Sequence, residues 1–370
     1  MRVLCTCVPG YGHFHPMVPL ARALQAAGHE VVFATAERFC ARVGAAGFEA
    51  IPAGLNPGPM VQRALASFAG TPGEDEWRFG AHMFAGVAAP AKLPELLAVV
   101  DRWRPDLVVH DVTDFAGPPA AAHASVPSVA HSLGPMFPVE FHRRAAELSA
   151  HTPSALYVDI CPPSLQADCA AGVAAVTQSL RPVPFDAVAG EALPAWVGAL
   201  AARPTVYVTL GTIDNEAPGV IEAAVEGLRD EPMNVVVTVG PNRDPAALGP
   251  QPANVHVERY VPQSLLLPHC DAVVAHGGSG TTLAALAHGL PLLLLPQGAN
   301  QFWNAERCAG LGVGLRLPPG TVDAGAVRDA VATLLDRPAF RDRARELAAE
   351  IAAMPAPGDV APRLQALAEA

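Results

Sequence analysis

The chain opens on a nearly continuous apolar run, MRVLCTCV (1–8). After Pro9-Gly10 comes HPMVPLARALQAAGH (15–29), with apolar residues at helical spacing, and then a second apolar run, EVVFAT (30–35). Short apolar runs without alternation suit strands buried on both faces, so this opening predicts a βαβ unit. TVYVTLGT (205–212), PGVIEAAVEGLRD (218–230) and MNVVVTVG (233–240) repeat the plan. Strand-like runs also occur at PDLVVHD (105–111), VPSVAHS (126–132), HVERYV (256–261), DAVVAH (271–276), PLLLLP (291–296) and VGLRL (313–317), with helical patterns between them. Such alternation predicts an α/β protein made of two doubly wound parallel sheets.

LRPVPFDAVAGEALPAWVGALAARP (180–204) is Pro-rich and aperiodic, and separates the two halves. The expected organisation is a domain over 1–190, a linker over 191–204, a second domain over 205–354 and a tail helix over 355–370. Residues 55–90 carry GTPGEDEW and scattered aromatics, and read as irregular.

Composition narrows the chemistry. The 370 residues are 51% apolar and 16% charged, which fits an ordered globular chain of more than one core. A formal charge of -11 without any Lys/Arg run argues against nucleic acid as a partner. Seven scattered cysteines without a C-x-x-C pair read as reduced, buried thiols. With no signal-like start and no long apolar span, the expected location is cytoplasmic, with no membrane span. The oligomeric state is not legible, and a homodimer stays open.

Two glycine turns carry candidate chemistry. Gly10-Tyr-Gly12-His-Phe-His15 has two glycines of a dinucleotide fingerprint, with Glu37 near the expected ribose acid, but His15-Pro16 stands where close packing wants the third. An NAD-dependent oxidoreductase is therefore the weakest reading. AHGGSGTTLAAL (275–286) delivers His276 from a strand and then starts a helix, a construction that suits a phosphate: helix N–H groups, the Ser279 and Thr281 hydroxyls and the His276 ring are its donors. Thr212 adds a hydroxyl after the second half's opening strand, and ligands of such sheets bind off the carboxyl ends of strands.

Together, GYGHFHP, PDLVVHD, RPVPFD…LPAWV, TVYVTLGT, RYVPQSLLLPHCD, HGGSGTTLAALAHGLP and PQGANQFWNAERC resemble the GT-B fold, inverting, metal-independent UDP-glycosyltransferase family, in its actinobacterial branch that glycosylates macrolide, enediyne and other polyketide-type natural products. The resemblance spans essentially the whole chain. It implies an acceptor-binding first domain and a nucleotide-sugar-binding second one. His13 matches the family's general base and Asp111 its partner. Thr212, His276, Gly278, Ser279 and Thr281 match diphosphate positions; Tyr260 a base-stacking ring; Val261 a backbone contact to the base; Gln263 a ribose contact; and Asn300 and Gln301 the pair that grips the donor sugar.

The chain departs from the family pattern twice: Asn300 stands where Asp is common, and Ala284 where many relatives place a ribose-gripping Glu. Both departures favour a dTDP-linked deoxy or amino sugar over a UDP-sugar. The implied reaction is transfer to a hydroxyl of an apolar small molecule in antibiotic biosynthesis. It needs no cofactor beyond the nucleotide-sugar co-substrate, and O- is not separated from C-glycosylation. A catalytically silent helper subunit and a nucleotide-sugar epimerase are the alternatives, and the intact His13 and Asp111 argue against the first.

Overall fold

A computed structural model of the protein describes residues 1–71, 75–149, 153–166, 176–185, 191–211, 219–240 and 243–370. Two compact units emerge, Met1–Val183 together with Met354–Ala370, and Pro184–Ala353.

The first unit holds a seven-stranded parallel sheet: β1 (Arg2–Thr6), β2 (Glu30–Thr35), β3 (Glu49–Pro52), β4 (Leu107–Asp111), β5 (Ser128–His131), β6 (Leu156–Asp159) and β7 (Thr177–Ser179), in the order β3-β2-β1-β4-β5-β6-β7. Val3 and Leu4 point to opposite faces and both are fully buried, because helices cover the two sides. This is why the sequence shows unbroken apolar runs. Leu4, Val32 and Val108 form one core with Leu96, Val99, Val100 and Trp103.

The second unit repeats the design with β8 (Thr205–Thr209), β9 (Asn234–Thr238), β10 (Val255–Glu258), β11 (Ala272–Ala275), β12 (Leu292–Leu294) and β13 (Gly314–Arg316), in the order β10-β9-β8-β11-β12-β13. The strand order reverses between β1 and β4 in one sheet and between β8 and β11 in the other. A crevice opens at the carboxyl ends of the strands at such a reversal.

The region expected to be irregular is largely helical. Pro57–Ser67 is a helix with Pro in its first turn, Asp75 caps Glu76–Ala81 by accepting from Arg78 N at 3.2 Å, and a π turn (His82–Ala88) runs into Ala89–Trp103. Gly80, Gly86, Pro90 and Pro94 hid this helix. Pro90 stands just past the π turn that interrupts the α-helical ladder, and Ala81, Ala85 and Ala89 fall four apart and are buried.

The expectation of no long apolar span is corrected by the same helix. Glu76–Trp103 is 28 residues long and apolar enough to cross a membrane by length and composition alone. Here Leu96, Val99, Val100 and Trp103 pack against the first sheet, as a core helix does.

The stretch expected as linker carries a short 3-10 helix, Ala195–Ala199, and belongs to the second unit. Trp196 stacks on His256 of β10 at 4.1 Å and donates to Glu258 Oε1 at 3.1 Å. The tail helix, Pro357–Ala368, belongs to the first unit, where it packs on helix Val18–Ala26.

Candidate active site

In the first unit, His13 and Asp111 lie 98 residues apart in the chain and meet at the sheet's reversal point. β1 ends at Thr6, and the chain turns through extended Gly10 into a short helix, Tyr11–Phe14, that carries His13. β4 lies beside β1, with Thr6 opposite His110, and ends at Asp111. His13 Nδ1 stands 3.4 Å from Asp111 Oδ1.

Asp111 is fully buried, and its carboxylate is satisfied from several sides. Val8 N donates to Oδ2 at 2.7 Å, while Thr113 N and Thr113 Oγ1 donate to Oδ1 at 2.8 and 2.5 Å. Burial alone would raise its pKa. The facing His13 and these hydrogen bonds outweigh burial and hold the group down at about 2. Phe84 packs its ring against His13 at 5.7 Å.

A second buried network lies beside this pair. Lys92 Nζ reaches Asp114 Oδ2 at 2.5 Å, Cys7 O at 3.0 Å and Ala34 O at 3.3 Å, and Thr6 Oγ1 donates to Asp114 Oδ2 at 2.7 Å. Gly54 lets the lysine stem pass: its φ is +96°, and a Cβ there would lie 3.2 Å from Lys92 Cγ. Lys92 and Asp114 line a small cavity together with Val8, Met60, Phe84 and Thr113.

In the second unit the reversal point brings the turn after β8 against the turn after β11. His276 follows β11 and its ring lies between Gly211 and Gly278. A Cβ on Gly211, whose φ is +76°, would stand 2.6 Å from the ring, and one on Gly278 would also collide with it. Thr209 Oγ1, tied to Thr238 and through it to Tyr207, accepts from Gly211 N at 3.2 Å and fixes that turn.

His276 Nδ1 is buried and lacks a partner among the described residues. Gly278 is the extended N-cap of helix Ser279–Ala287 and offers no side chain to it, so the helix starts without a side-chain cap. Thr282 N already bonds to Gly278 O at 3.0 Å. The preceding N–H groups, His276 and the Ser279 and Thr281 hydroxyls form the donor set that an anion requires.

Of the other expected binding residues, Gln263, Asn300 and Gln301 contact this turn. Thr281 Oγ1 lies 3.3 Å from Gln263 Oε1. Tyr260 is 47% exposed in the loop after β10, whereas Val261 is buried. Asn300 Nδ2 donates to Ser279 Oγ at 3.0 Å, which joins two of the expected binding residues directly. Gln301 is buried, and its Oε1 accepts from Gln297 N at 2.8 Å and Gly298 N at 3.2 Å, so that oxygen shapes the loop. Ala284 is buried on its helix. Thr212 lies outside the described residues.

Two further polar residues were missed in the sequence. Thr113 sits two residues past Asp111. Asn304, one helical turn past Asn300, donates to Gly277 O at 2.8 Å and Ser279 Oγ at 3.1 Å. The i, i+4 spacing of the two asparagines was the available signal.

Burial also sets the acid response. His15, His131 and His276 are each pushed down to about 4 by desolvation. An unfolded chain protonates them near pH ~6.5, so below that pH it binds more protons than the folded one. Stability is therefore full above about pH 6.5 and falls towards pH 4, by up to about 1.4 kcal/mol per pH unit for each histidine. Asp111 works in a lower window: its contribution is present above about pH 4 and is lost as pH falls towards 2. Urea unfolding across this range is expected to show the midpoint falling from neutral pH downward. An unchanged midpoint between neutrality and the carboxylate range would contradict the histidine account.

Comparison with known proteins identifies the family. Residues 22–211 match the family described as "Erythromycin biosynthesis protein CIII-like, N-terminal domain", and residues 224–367 match its C-terminal domain. L-demethylnoviosyl transferase of Streptomyces niveus is 40% identical over 99% of this chain and 98% of its own length. The crystal structure of the glycosyltransferase SnogD from Streptomyces nogalater superposes with a TM-score of 0.81 at 33% identity, covering 100% of this chain and 99% of that one. The spinosyn rhamnosyltransferase SpnG is 32% identical and covers 99% of this chain and 100% of its own, with TM-scores of 0.84 complexed with thymidine diphosphate and 0.86 complexed with spinosyn aglycone.

Proposed function

This chain belongs to the erythromycin biosynthesis protein CIII-like glycosyltransferases, GT-B enzymes of antibiotic biosynthesis that use nucleotide-sugar donors, and from that premise we propose a specific reaction. The enzyme moves a deoxy or amino sugar from a dTDP-linked donor to a hydroxyl of an apolar natural product, with inversion at the anomeric carbon. The first unit binds the acceptor and the second the nucleotide sugar.

The meeting of His13 with buried Asp111 at the reversal of the first sheet carries this reading. His13 takes the proton of the acceptor hydroxyl as that oxygen bonds to the anomeric carbon. The bond from that carbon to the diphosphate oxygen breaks, and its electron pair leaves with the nucleoside diphosphate. Asp111 meets the imidazolium charge. The N-terminus of helix Ser279–Ala287, with His276, Ser279 and Thr281, meets the charge of the leaving diphosphate. Attack opposite the leaving group, without a covalent enzyme intermediate, gives inversion.

SpnG supports the donor class, since one of its structures is a complex with thymidine diphosphate. Asn300 has one acceptor and one donor group, and in this chain its Nδ2 is already held by Ser279. Its carbonyl oxygen can accept from a sugar hydroxyl or amine, and the bond to Ser279 uses only one of the two Nδ2 hydrogens.

The deciding experiment titrates the protein calorimetrically with dTDP, UDP and NAD+, then screens dTDP-sugars and UDP-glucose against a panel of polyketide aglycones. The expected results are tighter binding of dTDP than UDP, no response to NAD+, and a product of inverted anomeric configuration by NMR. UDP-glucose outperforming every dTDP-sugar would sink the donor assignment, and a retained anomer would sink the single displacement.

A further inference from the structure

We propose that Thr113 is a positioning residue whose hydroxyl joins His13 to Asp111 and locks the tautomer of the ring; the catalytic consequence rests on His13 being the base. Thr113 is 1% exposed, and its Oγ1 lies 3.1 Å from His13 Nδ1 and 2.5 Å from Asp111 Oδ1. The direct approach of ring nitrogen to carboxylate is longer, at 3.4 Å, beyond the usual range of an N–H···O bond. The path through the hydroxyl is the better-formed of the two.

Proton counting fixes its direction. An ionised carboxylate only accepts, so the single proton of the Thr113 hydroxyl goes to Asp111. Towards His13 the hydroxyl oxygen has only lone pairs to offer, so Nδ1 must carry the hydrogen and donate. Nε2 then keeps its lone pair, which is the form a general base needs. When Nε2 takes the acceptor's proton, Nδ1 keeps its own, and the ring's charge is met by a hydroxyl already polarised by the carboxylate.

The relay is held rigidly. Asp111 is pinned by Val8 N on one oxygen and by Thr113 N on the other, so the residue that supplies the bridging hydroxyl also anchors the carboxylate through its backbone. A direct His–Asp pair would have no need of a hydroxyl at this position.

The test reads the tautomer in the whole protein. Long-range 15N–1H NMR of the histidine rings, with His13 assigned by the loss of its signals in His13→Gln, is expected to show a protonated Nδ1 and an unprotonated Nε2 in the wild type. Thr113→Val is expected to shift His13 towards the Nε2–H tautomer, and Thr113→Ser to restore the wild-type pattern. In the transfer assay, Thr113→Val is expected to lower kcat about 10-fold or more, part of the roughly 10²- to 10⁴-fold supplied by a positioned base, with the donor KM within about 2-fold.

Retention of the Nδ1–H form and of wild-type kcat in Thr113→Val would overturn the relay, as would failure of Ser to restore them. If Val does not fold, Thr113→Ala carries the same two readouts. The two levels of the argument separate cleanly. A shifted tautomer in Thr113→Val alongside wild-type transfer by His13→Gln would leave the relay standing and remove His13 from the role of base.

Discussion

His13→Gln is expected to lower kcat for sugar transfer by about 10²- to 10⁴-fold, the usual contribution of a positioned general base. The side chain of His13 is partly exposed, at 18%, and Asp111 keeps its bonds from Val8 N, Thr113 N and Thr113 Oγ1 without it. The fold is therefore expected to survive, with a urea midpoint close to that of the wild type. Dissociation of dTDP is expected to be unchanged, since the residues assigned to the diphosphate lie in the other unit. Initial rates at saturating donor, paired with a dTDP titration of the same sample, separate loss of chemistry from loss of binding. A rate near that of the wild type would remove the ring from the mechanism.

Lys92→Met is expected to act through stability, with a loss of about 3–5 kcal/mol, because it strips a buried carboxylate of its counter-charge. Lys92 is 5% exposed and Asp114 3% exposed. Methionine replaces the aliphatic stem but not the ammonium, which also serves two backbone carbonyls, Cys7 O and Ala34 O. Lys92→Met combined with Asp114→Asn is expected to recover part of the loss. It removes the stranded charge and keeps an oxygen for the Thr6 hydroxyl, which lies 2.7 Å from Asp114. Urea unfolding of the two single variants and the double gives the coupling directly. Additive losses would show that the two groups do not act as a pair.

Much of the framework was legible because both sheets are parallel and covered on two sides. Strands such as Arg2–Thr6 and Asn234–Thr238 then appear as apolar runs, and the helices between them keep their period. The placing of His276 and the glycine turns at strand ends followed from the same reading, whereas the strand order that makes those ends reversal points did not.

Short edge strands were not legible. Glu49–Pro52 and Thr177–Ser179 carry too few apolar residues to stand out from their surroundings. The helix over 76–103 was masked by glycine and proline residues whose cost depends on their place within a turn. Side-chain partners were hidden for another reason. The link between Thr113 and His13 spans 100 residues, and the burial of Gln301 depends on how its own loop closes back on it. Spacing along the chain does not encode either arrangement.

The return of the last helix to the first unit has a practical corollary for building hybrids with relatives. Topologically, Pro184–Ala353 is an insert within a unit whose two pieces come from opposite ends of the chain. A hybrid joined by a single crossover near residue 184 would pair a foreign tail helix with the resident helix Val18–Ala26, and would replace Pro355, whose carbonyl receives Arg181 N at 2.8 Å. Grafting only the interval between the two crossings preserves that seam, so the second unit is best exchanged as a cassette with two junctions.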